Sequence, residues 1–330
     1  MTVTEALRLR TPSRLHFGLL SWGDAIPRQF GGVGLMIDRP GLELSMEPAA
    51  EWRAEGPLAS RVLNVAQAVA ARLAAEGFAL TPRLIRIHRA PPEHVGLGTG
   101  TQLSLAVARA LATAAGLPDV PVTRLAAWTG RGLRSGIGLH GFDRGGLIVD
   151  AGRRRGQDLD PPALIARHDL PTEWSILVVI PPIEPGLFGA DESRAFDALP
   201  PFPESLVDRL CRLVLLGLVP AAIERDLSTF GVALEELQHC VGTAFASAQG
   251  GIYAHESLAD IVTWLRRQGL HGVGQSSWGP ALYGFLEADE PRREVLLHEL
   301  QQRFTLGPDA AFWTWPDNTG ARLDRHGDRP

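Results

Sequence analysis

Pro91-Pro92-Glu93-His94-Val95-Gly96-Leu97-Gly98-Thr99-Gly100-Thr101-Gln102 decides how this chain is read. A strand-like run over 84–90 leads into it, and Leu103-Ser104-Leu105-Ala106-Val107-Ala108-Arg109-Ala110-Leu111 carries it on as an amphipathic helix. Glycines at 96, 98 and 100 permit tight or positive-φ backbone and leave room for a ligand against the main chain. The hydroxyls of Thr99 and Thr101 fall where the first unpaired N–H groups of the helix point. Those N–H groups and the helix dipole both favour an anion. The stretch reads as a phosphate cradle, in competition with a glycine-rich turn that only redirects the chain.

The rest of the sequence narrows what such a cradle holds. No lysine occurs among the 330 residues, which excludes a Gly-Lys-Ser/Thr P-loop, a kinase-type ATP lysine and a Schiff-base lysine. The spacing is not Gly-x-Gly-x-x-Gly, which argues against a dinucleotide fold. A composition 45% hydrophobic and 21% charged is that of a globular protein long enough for two domains. A net charge of −5 supplies no basic field for nucleic acid. Cys211 and Cys240 have no metal-ligand spacing and suggest no disulfide framework, so a reducing cytoplasm is expected. The N-terminal residues lack a signal-peptide pattern, and the longest apolar run, 213–223, is too short to span a bilayer.

Outward from the cradle, residues 7–20 read as a strand pair or a strand with a turn. Residues 31–37 and 42–46 read as two further strands separated by Pro40, and 58–76 as a helix stopped by Gly77. A short helix near 122–131 precedes the glycine-rich segment 132–138 and a strand at 146–150. The charged, proline-rich stretch from about 153 marks a domain junction. Beyond it come a strand over 174–180, helices over 206–225, 231–248 and 258–267, a second glycine loop at 272–280, a strand over 281–286 and a helix over 292–304. The last dozen residues read as frayed. Strands and helices mix without strict alternation, which indicates an α+β protein with domains 1–160 and 161–330.

Three features in this order resemble the GHMP kinase superfamily. Pro92 with Gly96-Leu97-Gly98 is similar to its phosphate loop, Ser135-Gly136-Ile137-Gly138 to its Ser-Gly-x-Asp segment, and 272–279 to its C-terminal glycine loop. The resemblance implies a two-domain fold with a ribosomal-protein-like N-terminal half and a ferredoxin-like C-terminal half. It covers nearly the whole chain. The kinase Asp is Gly138 here, which can neither accept a proton nor pair with a cation; Asp143 could replace it only through a remodelled loop. Arg14-Leu15-His16-Phe17-Gly18, Phe30-Gly31-Gly32-Val33-Gly34, Gly98-Thr99-Gly100-Thr101-Gln102 and Gly274-Gln275-Ser276-Ser277-Trp278-Gly279-Pro280 resemble one branch, the β-ribofuranosylaminobenzene 5′-phosphate synthases. That branch implies condensation of 4-aminobenzoate with phosphoribosyl pyrophosphate, releasing CO2 and pyrophosphate, toward tetrahydromethanopterin. It also implies Mg2+ and a homodimer. An ATP-dependent GHMP small-molecule kinase and a non-catalytic binder of a phosphorylated metabolite are the alternatives.

The chemistry assigns candidate roles. Pyrophosphate leaves C1 of the ribose, the ring carbon bearing the carboxylate attacks, and CO2 loss restores aromaticity. No hydroxyl is deprotonated, so the missing Asp is tolerable. Gly96, Gly98, Thr99, Gly100, Thr101, Gln102, Ser135 and Gly136 are expected to hold phosphate. Arg14, His16, Gln275 and Ser276 are expected to contact and orient the reactants. Arg28, Arg134 and Arg144 are within reach of glycine loops, as are His94 and His140. Asp150 and Glu192 are weak magnesium candidates with no assigned ligand role, and Trp278 offers a flat face to an aromatic acceptor. An arginine clamp on the acceptor carboxylate would resist decarboxylation. No adjacent acidic pair precedes the Thr/Ser-Ser hydroxyls of an ordinary phosphoribosyltransferase motif, so the donor site is independently built.

Overall fold

Two long strands organise the first half: β1 (Leu7–Ser21) and β2 (Arg28–Pro48) run antiparallel along almost their whole length. The computed structural model describes residues 6–325 apart from 24–25, 155, 157–159, 185, 188 and 288–290. After β2 come β3 (Arg53–Glu55), α1 (Ala59–Ala75), β4 (Arg83–Arg89), α2 (Thr99–Ala114), α3 (Val122–Thr129), α4 (Ile137–Arg144), β5 (Leu147–Asp150), β6 (Arg153–Arg154) and β7 (Leu164–His168). The second half holds β8 (Trp174–Val179), α5 (Gly189–Ala198), α6 (Glu204–Leu213), a π turn (Val214–Leu218), α7 (Val219–Glu224) and α8 (Leu227–Gln249). It continues with α9 (Glu256–Arg267), β9 (His271–Gln275), β10 (Leu282–Glu287), α10 (Arg293–Arg303), β11 (Ala311–Thr314) and β12 (Arg322–Arg325). The first sheet has the order β12-β1-β2-β4-β3, with β5 and β6 also on β2 and β7 on β5; the second is an antiparallel β11-β8-β10-β9 sheet. This is the expected α+β architecture.

One core joins the halves. Leu15, Phe17, Val33 and Leu35 of the first sheet pack with Ile176, Val178, Tyr283 and Phe285 of the second and with Phe230, Leu234 and Leu237 of α8. A second core lies under α1, α2 and α3, and a third under α9 and α10. Burial of these side chains, each about 1.5–3 kcal/mol, is what fixes the elements whose local sequence is ambiguous.

Several expectations change. Residues 7–20 form one strand, and 31–37 and 42–46 are one strand with an irregularity between them, because both segments pair with the same β1. Ile37 faces Ser13 and Leu42 faces Thr11, so residues 38–41, including Pro40, are looped against the single residue Pro12. The segment read only as glycine-rich starts α4 at Ile137. Buried Ile137, Leu139 and Phe142 hold that helix, and Gly141 is required because a Cβ there would lie 2.2 Å from Met36 Sδ. The second glycine loop begins inside strand β9, which takes in its residues 272–275. Within the C-terminal dozen, β12 pairs with β1; residues 326–330 lie outside the described residues. The junction is not clean at residue 160, since β7 and β12, both beyond it, belong to the first sheet. No described helix is long and apolar enough to cross a membrane.

Candidate active site

Strand β1 carries Arg14 and His16 in its middle, opposite Met36 and Gly34. The Arg14 side chain crosses the start of α2 because Gly98 has no Cβ; one placed there would lie 3.2 Å from both Cβ and Nε of Arg14. Burial lowers the Arg14 guanidinium to about 10, with Glu192 and Asp150 pulling in the opposite direction. Its Nε is buried without a hydrogen-bond partner. His16 is buried, and burial followed by the charge of Arg14 holds its pKa well below the usual range, so its imidazole is neutral at pH 7.

The glycine loop is organised differently from its sequence reading. Gly96 has φ +94°, and a Cβ on it would meet the Ser276 carbonyl oxygen at 2.2 Å. The fully buried Ser276 hydroxyl donates to the Gly96 carbonyl at 2.6 Å and accepts from the His16 N–H at 2.9 Å. Ser276 therefore clamps the loop to β1; both its bonds are internal, which removes it from the reacting groups. Thr99 donates its hydroxyl to the Pro92 carbonyl at 2.8 Å and closes the loop on itself. Gly100 makes room for Arg61, whose Nη2 would be 2.5 Å from a Cβ there and whose Nη1 is ion-paired with Glu93. Gln102 donates from Nε2 to the Gly138 carbonyl at 2.8 Å, tying α2 to α4. Gly136 donates its N–H to Asp150 Oδ2 at 2.9 Å. Of the eight residues expected to hold phosphate, Thr101 and Ser135 line the cavity described next; the space that the three loop glycines leave open is taken by Ser276, Arg14 and Arg61.

A cavity of about 350 Å³ lies where the two sheets meet α8, within the range of small-molecule sites. Arg14, His16, Thr101, Arg131 and Ser135 line one end. Among the described residues Arg14 and Arg131 form no salt bridge; Arg131 Nε donates to the Ser104 hydroxyl at 3.1 Å, and burial plus the neighbouring Arg61 lowers its pKa. The other end is aromatic. Phe196, Phe245 and Trp278 contact one another edge to face, with centroid separations of 5.8, 5.6 and 5.0 Å. Helix α8 contributes Gln238, Gly242, Phe245 and Gln249, one face at helical spacing.

Arg131, Arg61, Phe196 and Phe245 were not singled out from sequence. The spacing of 238, 242, 245 and 249 was the available signal, but it is indistinguishable from a core stripe until the opposite wall is known. Gln275 does line the cavity, yet its Oε1 accepts from the Ala254 N–H at 2.8 Å and its Nε2 donates to the Ser277 carbonyl at 3.0 Å. It shapes the wall, with both amide atoms already hydrogen-bonded within the protein. Arg28 is bound to the Ala151 and Gly152 carbonyls, and His140 to the Pro162 carbonyl. Arg144 pairs with Asp143, and neither residue lines this cavity; His94 does not line it either. Arg134 and Trp278 do.

Asp143, which also pairs with Arg109, lies by a different groove and cannot stand in for the kinase Asp. A Cβ on Gly138 would sit 3.3 Å from Thr101 Cγ2, so the position of the missing carboxylate is packed beneath Thr101. Asp150 is fully buried and accepts from the Gly136 and Gly152 N–H groups; burial nevertheless pushes it up to about 6. Glu192 is the carboxylate that lines the cavity, and both its oxygens are occupied, Oε2 by Arg134 at 2.6 Å and Oε1 by Trp278 Nε1 at 3.1 Å. Among the described residues no three His, Cys, Asp or Glu side chains gather as metal ligands. The two candidate carboxylates, Asp150 and Glu192, have every oxygen engaged within the protein, so neither offers a free ligand to Mg2+, which is held mainly by water, substrate phosphates and one or two carboxylates.

The fold and the cavity between its halves define the class. The GHMP kinase N-terminal and C-terminal family models match residues 60–143 and 218–305. The homoserine kinase of Cytophaga hutchinsonii superposes with a TM-score of 0.70 at 16% identity, covering 98% of this chain and 99% of that one. The mevalonate diphosphate decarboxylase of Enterococcus faecalis gives 0.66 at 14%, covering 97% and 99%. Sequence goes further than fold. A protein of Methanothermobacter thermautotrophicus named β-ribofuranosylphenol 5′-phosphate synthase is 36% identical over 96% of this chain and 98% of its own length. Its namesake in Archaeoglobus fulgidus is 33% identical over 86% and 88%. The chain belongs to the GHMP kinase superfamily and, within it, to the family of these synthases. The relatives' name carries a phenol where the sequence resemblance implied an aminobenzene.

Proposed function

We propose that this chain joins phosphoribosyl pyrophosphate to a 4-substituted benzoate, with loss of pyrophosphate and CO2. The observation that carries this reading is the division of one cavity into an end whose guanidinium groups, Arg14 and Arg131, form no salt bridge among the described residues and an end walled by aromatic rings. The donor's phosphates match the first end, at Arg14, Arg131 and the Thr101 hydroxyl, where cations stabilise the charge that gathers on leaving pyrophosphate. Neutral His16 beside Arg14 gives polar contact without adding charge. The benzoate ring matches the second end.

The step balances without a base. The C1–O bond breaks and its electron pair leaves with pyrophosphate; ring π electrons form the C1–carbon bond at the carboxylate-bearing position. The C–COO⁻ bond then breaks, and its pair restores the aromatic ring as CO2 departs. An acceptor of this kind needs no proton removed, which accords with Gly138. The donor as its Mg2+ complex brings its own metal ligands in the phosphate oxygens, and no step here is assigned to the ion. The homodimer stays part of the proposal, with exposed Leu215, Leu216, Ile223 and Val232 as apolar surface for it and sedimentation velocity as its test.

Purified protein, Mg2+ and phosphoribosyl pyrophosphate are incubated separately with carboxyl-labelled 4-aminobenzoate and 4-hydroxybenzoate. Labelled CO2 from either acceptor, stoichiometric with pyrophosphate, is expected, and the better substrate names the para group. No CO2 from either, with ATP consumed on an alcohol, would establish the kinase alternative; donor binding without turnover would establish the binder.

A further inference from the structure

The aromatic end of the cavity contains a cation that has been taken out of use. Arg134 Nη1 lies 2.6 Å from Glu192 Oε2, its Nη2 donates to the Ser193 hydroxyl at 2.7 Å, and its guanidinium stands 5.1 Å over the Phe196 ring. The second Glu192 oxygen accepts from Trp278 Nε1 at 3.1 Å. Trp278 in turn meets Phe196 and Phe245 edge to face. Arg134, Glu192, Phe196 and Trp278 all line the cavity. Helix α5, carrying Glu192, Ser193 and Phe196 within one turn, thus brings both the ring wall and the partner that neutralises Arg134.

We propose that Glu192 is a positioning residue that sequesters Arg134, so that the acceptor's carboxylate rests against a neutral ion pair and not against an open arginine. The inference rests on the synthase reading above. Its physical basis is differential binding: an interaction with the carboxylate that is full in the ground state and lost as CO2 forms lowers KM and raises the barrier by the same amount. A carboxylate destined to leave is best held by its ring, through contacts that persist to the transition state. An unpaired guanidinium beside it would form a charge-assisted, bidentate bond of the strongest kind available to a side chain. Arg134 is the cation at that wall, and Glu192 and Ser193 already occupy its two terminal nitrogens.

The test is a split between KM and kcat. In Glu192→Gln the neutralising charge is gone and Arg134 is released. The KM for the benzoate acceptor is expected to fall about 10-fold and kcat to fall about 10-fold, leaving kcat/KM nearly level. Equilibrium binding of unreactive benzoate, measured by isothermal titration calorimetry, is expected to tighten by a similar factor. Binding of aniline or phenol, which lack the carboxylate, stays as in the unaltered protein. The double variant Arg134→Met/Glu192→Gln removes both charges and is expected to recover most of the lost kcat and return benzoate affinity toward its original value.

Unchanged or weakened benzoate affinity in Glu192→Gln, or a double variant no better than the single one, overturns the proposal. So does a raised Mg2+ requirement with unchanged acceptor affinity, which would make Glu192 a metal-binding group. A folded Glu192→Gln protein, shown by an unaltered circular-dichroism melt, is the condition for each reading. If it melts early, Glu192→Asp, which keeps the charge but shortens the reach to Arg134, must show the same split in milder form or the proposal fails. Failure of the synthase reading itself is separately visible as absence of CO2 from the unaltered protein.

Discussion

The two ends of the cavity use the same side chain in opposite ways. At one end Arg14 has a buried, unpartnered Nε and Arg131 rests on a single serine hydroxyl. At the other, Arg134 is held by a carboxylate, a hydroxyl and an aromatic face. A guanidinium that is desolvated and unpaired is a standing invitation to an anion, because an anion alone restores what burial removed. A guanidinium already paired offers little to an incoming charge. The difference teaches that arginine count says nothing about anion binding until the partner of each is known.

The comparison breaks most easily at Arg14. Arg14→Met keeps the length and removes the charge; kcat/KM for phosphoribosyl pyrophosphate is expected to fall about 100- to 1,000-fold, measured under saturating acceptor. Gly98→Val, which first reads as a direct block on ligand approach, is expected to act through Arg14, since the Arg14 side chain occupies the space a Cβ would need. Combining it with Arg14→Met should then add little to the loss, and a full additive loss in the double variant would restore the direct-contact reading.

Next in size is the support behind the open end. Asp150 is pushed up to about 6 in the fold by burial, above an unfolded value of about 3.9. The folded state therefore binds its proton more tightly, and stability falls as pH rises from about 4 to about 6, then stays level. Denaturant melts across this range are expected to lose up to about 3 kcal/mol from this group, and Asp150→Asn should abolish that component of the slope. Gly96→Ala combines positive φ with a close approach to the Ser276 carbonyl and is expected to cost about 2–3 kcal/mol in the same melts. Arg131→Met sharpens the contrast least, with about a 10-fold rise in donor KM. If Arg131→Met instead lowered acceptor affinity, the two ends would have been assigned the wrong way round.

Much of the frame was legible in the sequence, for reasons that are local. The helix at 59–75 follows from apolar residues recurring on one face, and the loop before α2 from its glycines and prolines. What escaped was set by contacts distant in sequence. Helix α4 is poor in helix-forming residues at Gly138 and Gly141 and exists because Met36 and Thr101 press against it. Ser276 looked reactive because a serine in a glycine loop is ambiguous; its hydroxyl is spent between β1 and Gly96. The aromatic wall comes from α5, α8 and the loop at 278, whose separate patterns carry no sign that they converge.

By itself the sequence determined the glycine-rich loop before α2, the absence of lysine and the loss of a carboxylate at Gly138. These depend on residue type and on spacing within a few turns of chain. Tertiary structure alone decided that the loop's glycines make room for Arg14, Arg61 and Ser276, and which arginines remain open to a ligand. The reason is that pairing and burial are properties of neighbours brought together from β1, α5 and the segment before α4, and charge becomes chemistry only once those neighbours are fixed.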